Sequence, residues 1–310
     1  MNVREPDWAY VAKSLVKVVA VTAALLLVLG VGERVLWLFV DFDDERTAQV
    51  YGTAARVVNP DKRLANGHTD GGGLRGTTYT LWGEPRKAGP SEGEEEYEIV
   101  ENSFGSVRAP SLDGPSGSLA YAIDSVREAP DVDEGLKEAA RKAIDALPQT
   151  LDAVAVVEFA GTMTTDRLVA FNRRHSICGG EDVSYLYSLS SYDDSSDPPA
   201  VNAVVWNRGM TKDGFSAEVT YQCETEPVAA LAEFRRWVGL LNEGDDLDEF
   251  DLYYELLTED AEDGGVYGLV VDRWKLADLR KLLDDPEVRT VHLADVAFDL
   301  GEADQSRQIS

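Results

Sequence analysis

The sequence predicts an α+β protein. It comprises a single N-terminal transmembrane helix, a β-rich juxtamembrane segment, and then a mixed sheet with helices on one face, ferredoxin-like or related. Three observations predict this. Residues 18–40, VVAVTAALLLVLGVGERVLWLFV, are the one long apolar run. Two strand–turn–helix units begin near Asp152 and near Gly265. Further strand-like stretches lie between and after them.

A spanning helix needs about 20 mainly apolar residues. Val18–Gly32 carries no charge, Glu33 and Arg34 interrupt, and Val35–Val40 resumes the run. Long charged side chains can snorkel to the headgroups, so residues 18–40 have spanning length. Arg4, Lys13 and Lys17 precede the run, and Asp41, Asp43, Asp44 and Glu45 follow it. The positive-inside rule then places residues 1–17 in the cytoplasm and the rest outside. A cleaved secretory signal is the alternative, with small-residue exits at Gly30 and Gly32. VLWLFV is an unusual start for a mature soluble chain, which favours the anchor. A buried soluble helix is the other alternative, but so long an uncharged stretch is rare in a core. No cysteine lies near the run, which excludes a lipoprotein.

The chain has 310 residues and a formal net charge of −28. Such a balance excludes nucleic acid as a partner, because counterion release requires clustered Lys and Arg. Its usual meaning is solubility. Taken in order, residues 1–17 read as a cytoplasmic tail and 18–40 as the membrane helix. Residues 41–126 read as a β-rich extracytoplasmic module and 127–300 as an α+β domain, with a polar tail at 301–310.

In the β-rich module, TTYTLWG (Thr77–Gly83) and EYEIVEN (Glu96–Asn102) are strands by composition. PRKAGPSEGEEE between them is a loop. SLAYAIDSV (Ser118–Val126) is ambiguous between strand and helix. Asp131–Leu147 is a helix with Asp131 and Glu134 at capping-box spacing; Leu136, Ala140, Ala143, Ile144 and Leu147 share one face. DAVAVVEF (Asp152–Phe159) is apolar almost throughout, so both its faces are covered. TDRLVAFNRRH (Thr165–His175) follows as a helix. Strands are expected at Val183–Tyr192, Ala200–Asn207 and Ser216–Cys223. A helix from Glu226 to about Asn242 carries Leu231, Phe234, Val238 and Leu241 inward. A second, from about Leu247, carries Leu247, Phe250, Tyr254 and Leu257. Gly265–Asp272 is a strand, Lys275–Leu283 a helix, and Thr290–Asp299 a final strand. Leu293 and Val296 fall on opposite phases of that strand, which predicts a bulge or burial on both faces.

Cys178 and Cys223 are the two cysteines, and in an exported region they can pair as a disulfide. The loop so closed has about 45 residues. The alternative is two thiols too far apart to meet. Neither a zinc site nor a nucleophile is specified by His175 and Cys178, which lack a CxxC partner and an identifiable orienting group. His68 and Asp70 lie in the Gly-rich HTDGGGLRG, an exposed turn rather than a phosphate loop. His292 reads as a structural strand histidine. The acidic clusters Glu92–Glu98, Asp245–Asp251 and Glu259–Asp263 do not match the EF-hand order and read as solvated loops. No catalytic residue, metal or cofactor is assigned.

The order of elements resembles a family. A short N-terminus, an apolar helix and a β-rich segment precede AVAVVEFAGTMTTDRLVAF and VYGLVVDRWKLADLRKLLDDPEVRTVHLADV. This order is similar to the membrane-anchored sigma-factor regulators, which carry N- and C-terminal sigma-regulator domains. The resemblance covers most of residues 41–300 and brings no functional residues with it. It implies a non-enzymatic regulator, with a sigma factor or a membrane regulatory protein as partner. Residues 1–17 are too few for the cytoplasmic domain with which family members hold a sigma factor. A surface-anchored hydrolase using acidic residues and a structural envelope protein are the alternative functions.

Overall fold

The computed structural model describes residues 8–39, 44–65, 67–71, 76–90, 93–102, 104–110, 112, 116–127, 134–177, 182–191, 201–211 and 226–298. Helix α1 (Trp8–Phe39) covers the apolar run. The expected membrane anchor is corrected here: among the described residues no helix is long and apolar enough to cross a membrane. The transmembrane, extracytoplasmic and single-pass assignments fall with the anchor.

Helix α2 (Asp44–Val58) lies in the segment read as β-rich. Thr47, Ala48, Val50, Tyr51, Thr53, Ala54, Ala55, Val57 and Val58 are all buried, so little of α2 faces solvent. It packs on the first sheet. That sheet holds β1 (Lys62–Ala65), β2 (Thr69–Gly71), β3 (Thr77–Pro85), β4 (Glu95–Glu101) and β5 (Val107–Arg108), all antiparallel. Gly52 permits the close approach: a Cβ there would sit 2.4 Å from the Tyr79 ring. The ambiguous stretch forms helix α3 (Gly117–Asp124), and α4 follows at Glu134–Asp145. Of the apolar face expected on α4, Ile144 is fully buried, while Leu136 is exposed. The Asp131 end of the expected capping box lies outside the described residues.

The second sheet contains β6 (Asp152–Met163), β7 (Val183–Ser188), β8 (Val204–Trp206), β9 (Val266–Lys275) and β10 (Val288–Ala297). Their order is β10-β6-β9-β7-β8. Helix α5 (Thr165–His175) joins β6 to β7, and α8 (Leu276–Leu282) joins β9 to β10. This is a split βαβ arrangement. It is not the expected mixed sheet, because every described pair is antiparallel. The crossovers separate β6 from β7 by β9, and β9 from β10 by β6, so parallel strands never touch. Between Leu293 and Asp295 the β10 register shifts, a bulge at the phase change in the sequence.

Helices cover both faces of this sheet, which corrects the expectation of one covered face. Ala153, Ala155, Val157 and Phe159 point into the main core with Leu168 and Phe171 of α5 and Leu276 and Leu279 of α8. Val154 and Val156 point the other way, against Leu119, Ala122 and Ile123 of α3. The apolar DAVAVVEF stretch leaves no other arrangement, since an uncovered face would expose alternate valines.

One core joins the two sheets. Tyr51, Ala54, Tyr79, Leu81 and Ile99 belong to the same cluster as Trp206, Phe234 and Trp237. The Trp237 indole donates to the Val50 carbonyl at 3.3 Å. Arg56, buried on α2, donates to Leu64 O at 3.0 Å, Gly52 O at 3.1 Å and Met210 O at 3.2 Å, and so ties α2 to both halves.

Candidate functional site: an interhelical cleft

Helix α6 (Glu226–Val238) starts with Glu226 and Pro227, a favourable first turn for a helix dipole and a fixed φ. Leu231, Phe234 and Val238 are buried, as is Leu241 just beyond the helix. The second helix expected from Leu247 is divided. A short 3-10 turn covers Asp248–Phe250, and Asp251 takes the left-handed conformation at φ 48°. Helix α7 then runs Tyr254–Asp263 and ends at Gly264, φ +62°.

The break holds because its carboxylates are tied elsewhere. Asp245 accepts from Arg46 Nη2 at 2.8 and 2.9 Å, Asp246 accepts from Val107 N at 2.9 Å, and Glu249 accepts from Ala109 N at 3.2 Å. The acidic run expected to be a solvated loop therefore fastens α2 and the first sheet to the α6–α7 connection.

Between α6 and α7 lies a cleft of about 430 Å³, lined by Arg235, Val238, Gly239, Tyr254, Thr258, Ala261 and Glu262. On α7 the lining positions fall at i, i+4, i+7 and i+8, one helical face. Val238 and Ala261 are buried, Tyr254 and Thr258 half-buried, and Arg235 and Glu262 exposed. Arg235 Nε donates to Ala261 O at 2.6 Å and Nη2 to Glu262 O at 3.0 Å, satisfying the last carbonyls of α7. Thr258 donates back to Tyr254 O at 2.8 Å. Asp260 is on the other side of α7, where it bonds Ser188; burial pushes its carboxyl up to about 6, with Glu259 and Asp263 adding to the effect.

Buried charge also gathers elsewhere in the body. At the seam between the sheets, Asp272 of β9 is fully buried and accepts from Arg63 of β1 through Nε at 3.0 Å and through Nη2. Arg86, after β3, approaches the same oxygen at 3.9 Å. Burial pushes the Arg86 guanidinium below its ordinary range, and Asp272 opposes that. Asp272 Oδ1 and Arg86 Nε and Nη1 are buried without a hydrogen-bond partner.

On the α3 face, Glu158 accepts from Arg289 Nη1 at 2.9 Å and lies 2.8 Å from His292 Nε2. Below α5, Asp285 lies 2.7 Å from His175 Nε2 and bonds Arg174. Burial pushes the Asp285 carboxyl up, but the Glu287 N–H, His175 and Arg174 outweigh it and hold the carboxyl below its ordinary value. These three clusters couple strands and helices of the body.

The residues singled out in the sequence do not converge. Cys178 and Cys223 lie outside the described residues, so the disulfide expectation does too. His175 lies against Asp285 and His292 against Glu158, in separate parts of the body. His68 is exposed, stacked on Trp82 with centroids 5.4 Å apart, and 2.8 Å from Asp70. Among the described residues no group of three or more His, Cys, Asp or Glu is placed to hold a metal. Sequence reasoning missed the cleft and the Asp272 seam. The available signal for the seam was an aspartate closing the apolar strand GVYGLVVD.

No family model, curated protein or solved structure matches the chain.

Proposed function

We propose that the chain is a non-catalytic recognition module that binds a partner at the α6–α7 cleft and serves a regulatory role. The observation that carries this reading is the cleft itself. Two helices anchored in the common core present the half-buried Tyr254 ring to solvent, backed by the buried Val238 and Ala261. Of the cleft's polar lining groups, Arg235 and Thr258 donate to backbone carbonyls of α7, and Glu262 is the single carboxylate on the lining. Asp260, whose pKa is raised, turns to β7 and does not line it. That placement supports binding over hydrolysis, which needs paired carboxylates facing a substrate. The resemblance in element order supports regulation.

Filling the cleft tests the reading. Thr258→Trp, shown to be folded by circular dichroism, should reproduce the transcript changes of a deletion strain. Unchanged transcripts in the deletion strain would count against the regulatory role. A filled cleft that leaves wild-type transcripts would count against the cleft.

A further inference from the structure

We infer that the α6–α7 cleft docks an amphipathic helix with basic residues flanking its apolar stripe. This rests on the reading of the cleft as a binding surface.

Shape argues for a helix. The cleft runs between two helices, and its α7 wall is a row of side chains at helical spacing. A third helix can lay a ridge of i, i+3, i+4, i+7 side chains into such a groove. The floor of Val238, Tyr254 and Ala261 suits Leu, Ile or Phe anchors.

Charge argues for basic flanks. Residues 243–263 hold eleven acidic residues and no Lys or Arg. Several in the first half are tied to Arg46 and to backbone N–H groups of the first sheet. The exposed acids of α7 are different: among the described residues, Glu255, Glu259, Glu262 and Asp263 show no cationic partner. Only Glu255 lies in the first turn, where the helix dipole favours it. Glu262 and Asp263 close the helix, where negative charge opposes the dipole. Arg235 offsets part of this by donating to the Ala261 and Glu262 carbonyls, but one cation stands against four acids, and an excess of one charge is expected at functional surfaces. Lysines or arginines of a docked helix would supply the missing countercharge along one rim. An acidic helix or a nucleic acid backbone would meet repulsion there.

The test uses the full chain and a fluorescein-labelled Leu/Lys amphipathic helix of about 18 residues as probe. Anisotropy should report saturable binding. Glu255→Gln, Glu259→Gln and Glu262→Gln together should weaken it about tenfold. Thr258→Trp, which fills the cleft, and Tyr254→Ala, which removes its floor, should each weaken it by a similar factor. Circular dichroism identifies any variant that fails to fold, and the other then decides. A scrambled peptide of identical composition should bind at least tenfold more weakly. Equal binding of the scrambled peptide, or indifference to both cleft variants, would reduce the effect to bulk charge attraction and overturn the proposal. Failure of the peptide to bind overturns it too. Amide shifts at Tyr254, Thr258 and Ala261 on adding millimolar indole separate the two readings. If they appear without peptide binding, the cleft remains a binding surface for another ligand. If neither appears, both readings fall.

Discussion

Asp272→Asn is the most informative single change, because it preserves shape and removes one buried charge. Asp272 is fully buried and accepts two bonds from Arg63, whose side chain is 35% exposed. Hydrogen bonds to charged groups contribute about 1.5–3 kcal/mol each. Arg63 can turn to water when released, so its share falls at the lower end. Arg86 cannot, since its side chain is 6% exposed. Removing one partner of a buried ion pair costs about 3–5 kcal/mol, mostly the penalty of the charge left behind. A loss near 4 kcal/mol is expected. With a urea dependence of about 2.5 kcal/mol per molar, the unfolding midpoint falls by roughly 1.5 M. Intrinsic tryptophan fluorescence provides the readout, through the buried Trp206 and Trp237. The reasoning makes a second demand. Arg86→Met in the Asp272→Asn background should recover at least about 1 kcal/mol, because it withdraws the stranded cation. A single-variant loss below about 1 kcal/mol, or no recovery in the double variant, would refute the assignment of a strained charge centre at the seam.

Other changes have equally definite outcomes. Gly264→Ala forces a positive φ of 62° on alanine and places Cβ 2.8 Å from Leu231, so thermal unfolding should show a loss of about 1–3 kcal/mol. Arg56→Met strands several buried carbonyls between α2, β1 and Met210 and should cost about 2–4 kcal/mol in urea titration. Two of the shifted aspartates, Asp260 and Asp285, give opposite pH signatures. Asp260 has a folded pKa raised to about 6, so the folded chain binds more protons than the unfolded one above the ordinary aspartate value, and wild type loses stability relative to Asp260→Asn as pH rises from about 4 to about 6. The Asp285 carboxyl is held low, so its stabilisation is complete above the ordinary aspartate pKa near 3.9 and lost as pH falls further; Asp285→Asn should be less stable at pH 7, with the gap closing in acid.

The parts of the fold that were legible are those whose signal is local. DAVAVVEF and GVYGLVVD are continuous apolar runs followed within a few residues by a helical stripe, and they form β6 with α5 and β9 with α8. Pro286 marks the return into β10, and the phase change at Leu293 marks its bulge. Helix α2 was not legible. Much of its apolar surface is alanine, and burial on most sides removes the two-faced pattern that periodicity detects. The division before α7 was hidden for the opposite reason: Leu247, Phe250, Tyr254 and Leu257 keep helical spacing straight through the left-handed Asp251. The seam was out of reach, since Arg63 and Asp272 are 209 residues apart and neither stands in a motif. The cleft is built from ordinary residues of two helices, and only their packing makes them a surface.

The net charge takes on a different meaning once its placement is known. A chain made acidic for solubility alone would scatter its carboxylates among basic residues. Here, acids of the α6–α7 connection act as acceptors that hold the first sheet, and Arg46 sits where one of them needs a cation. Along α7 the same density of acid meets no basic residue of its own element. A cleft beside a predominantly acidic helix focuses the field and accelerates encounter with an oppositely charged partner. Attraction of that origin falls steeply as ionic strength rises past the Debye regime of about 0.1–0.2 M, whereas the structural ties at Asp246 and Glu249, made to backbone N–H groups, do not. Raising salt should therefore slow association at α7 while leaving the unfolding midpoint nearly fixed. A midpoint that moves in step with the association rate would mean that the α7 acids belong to the fold and not to a partner.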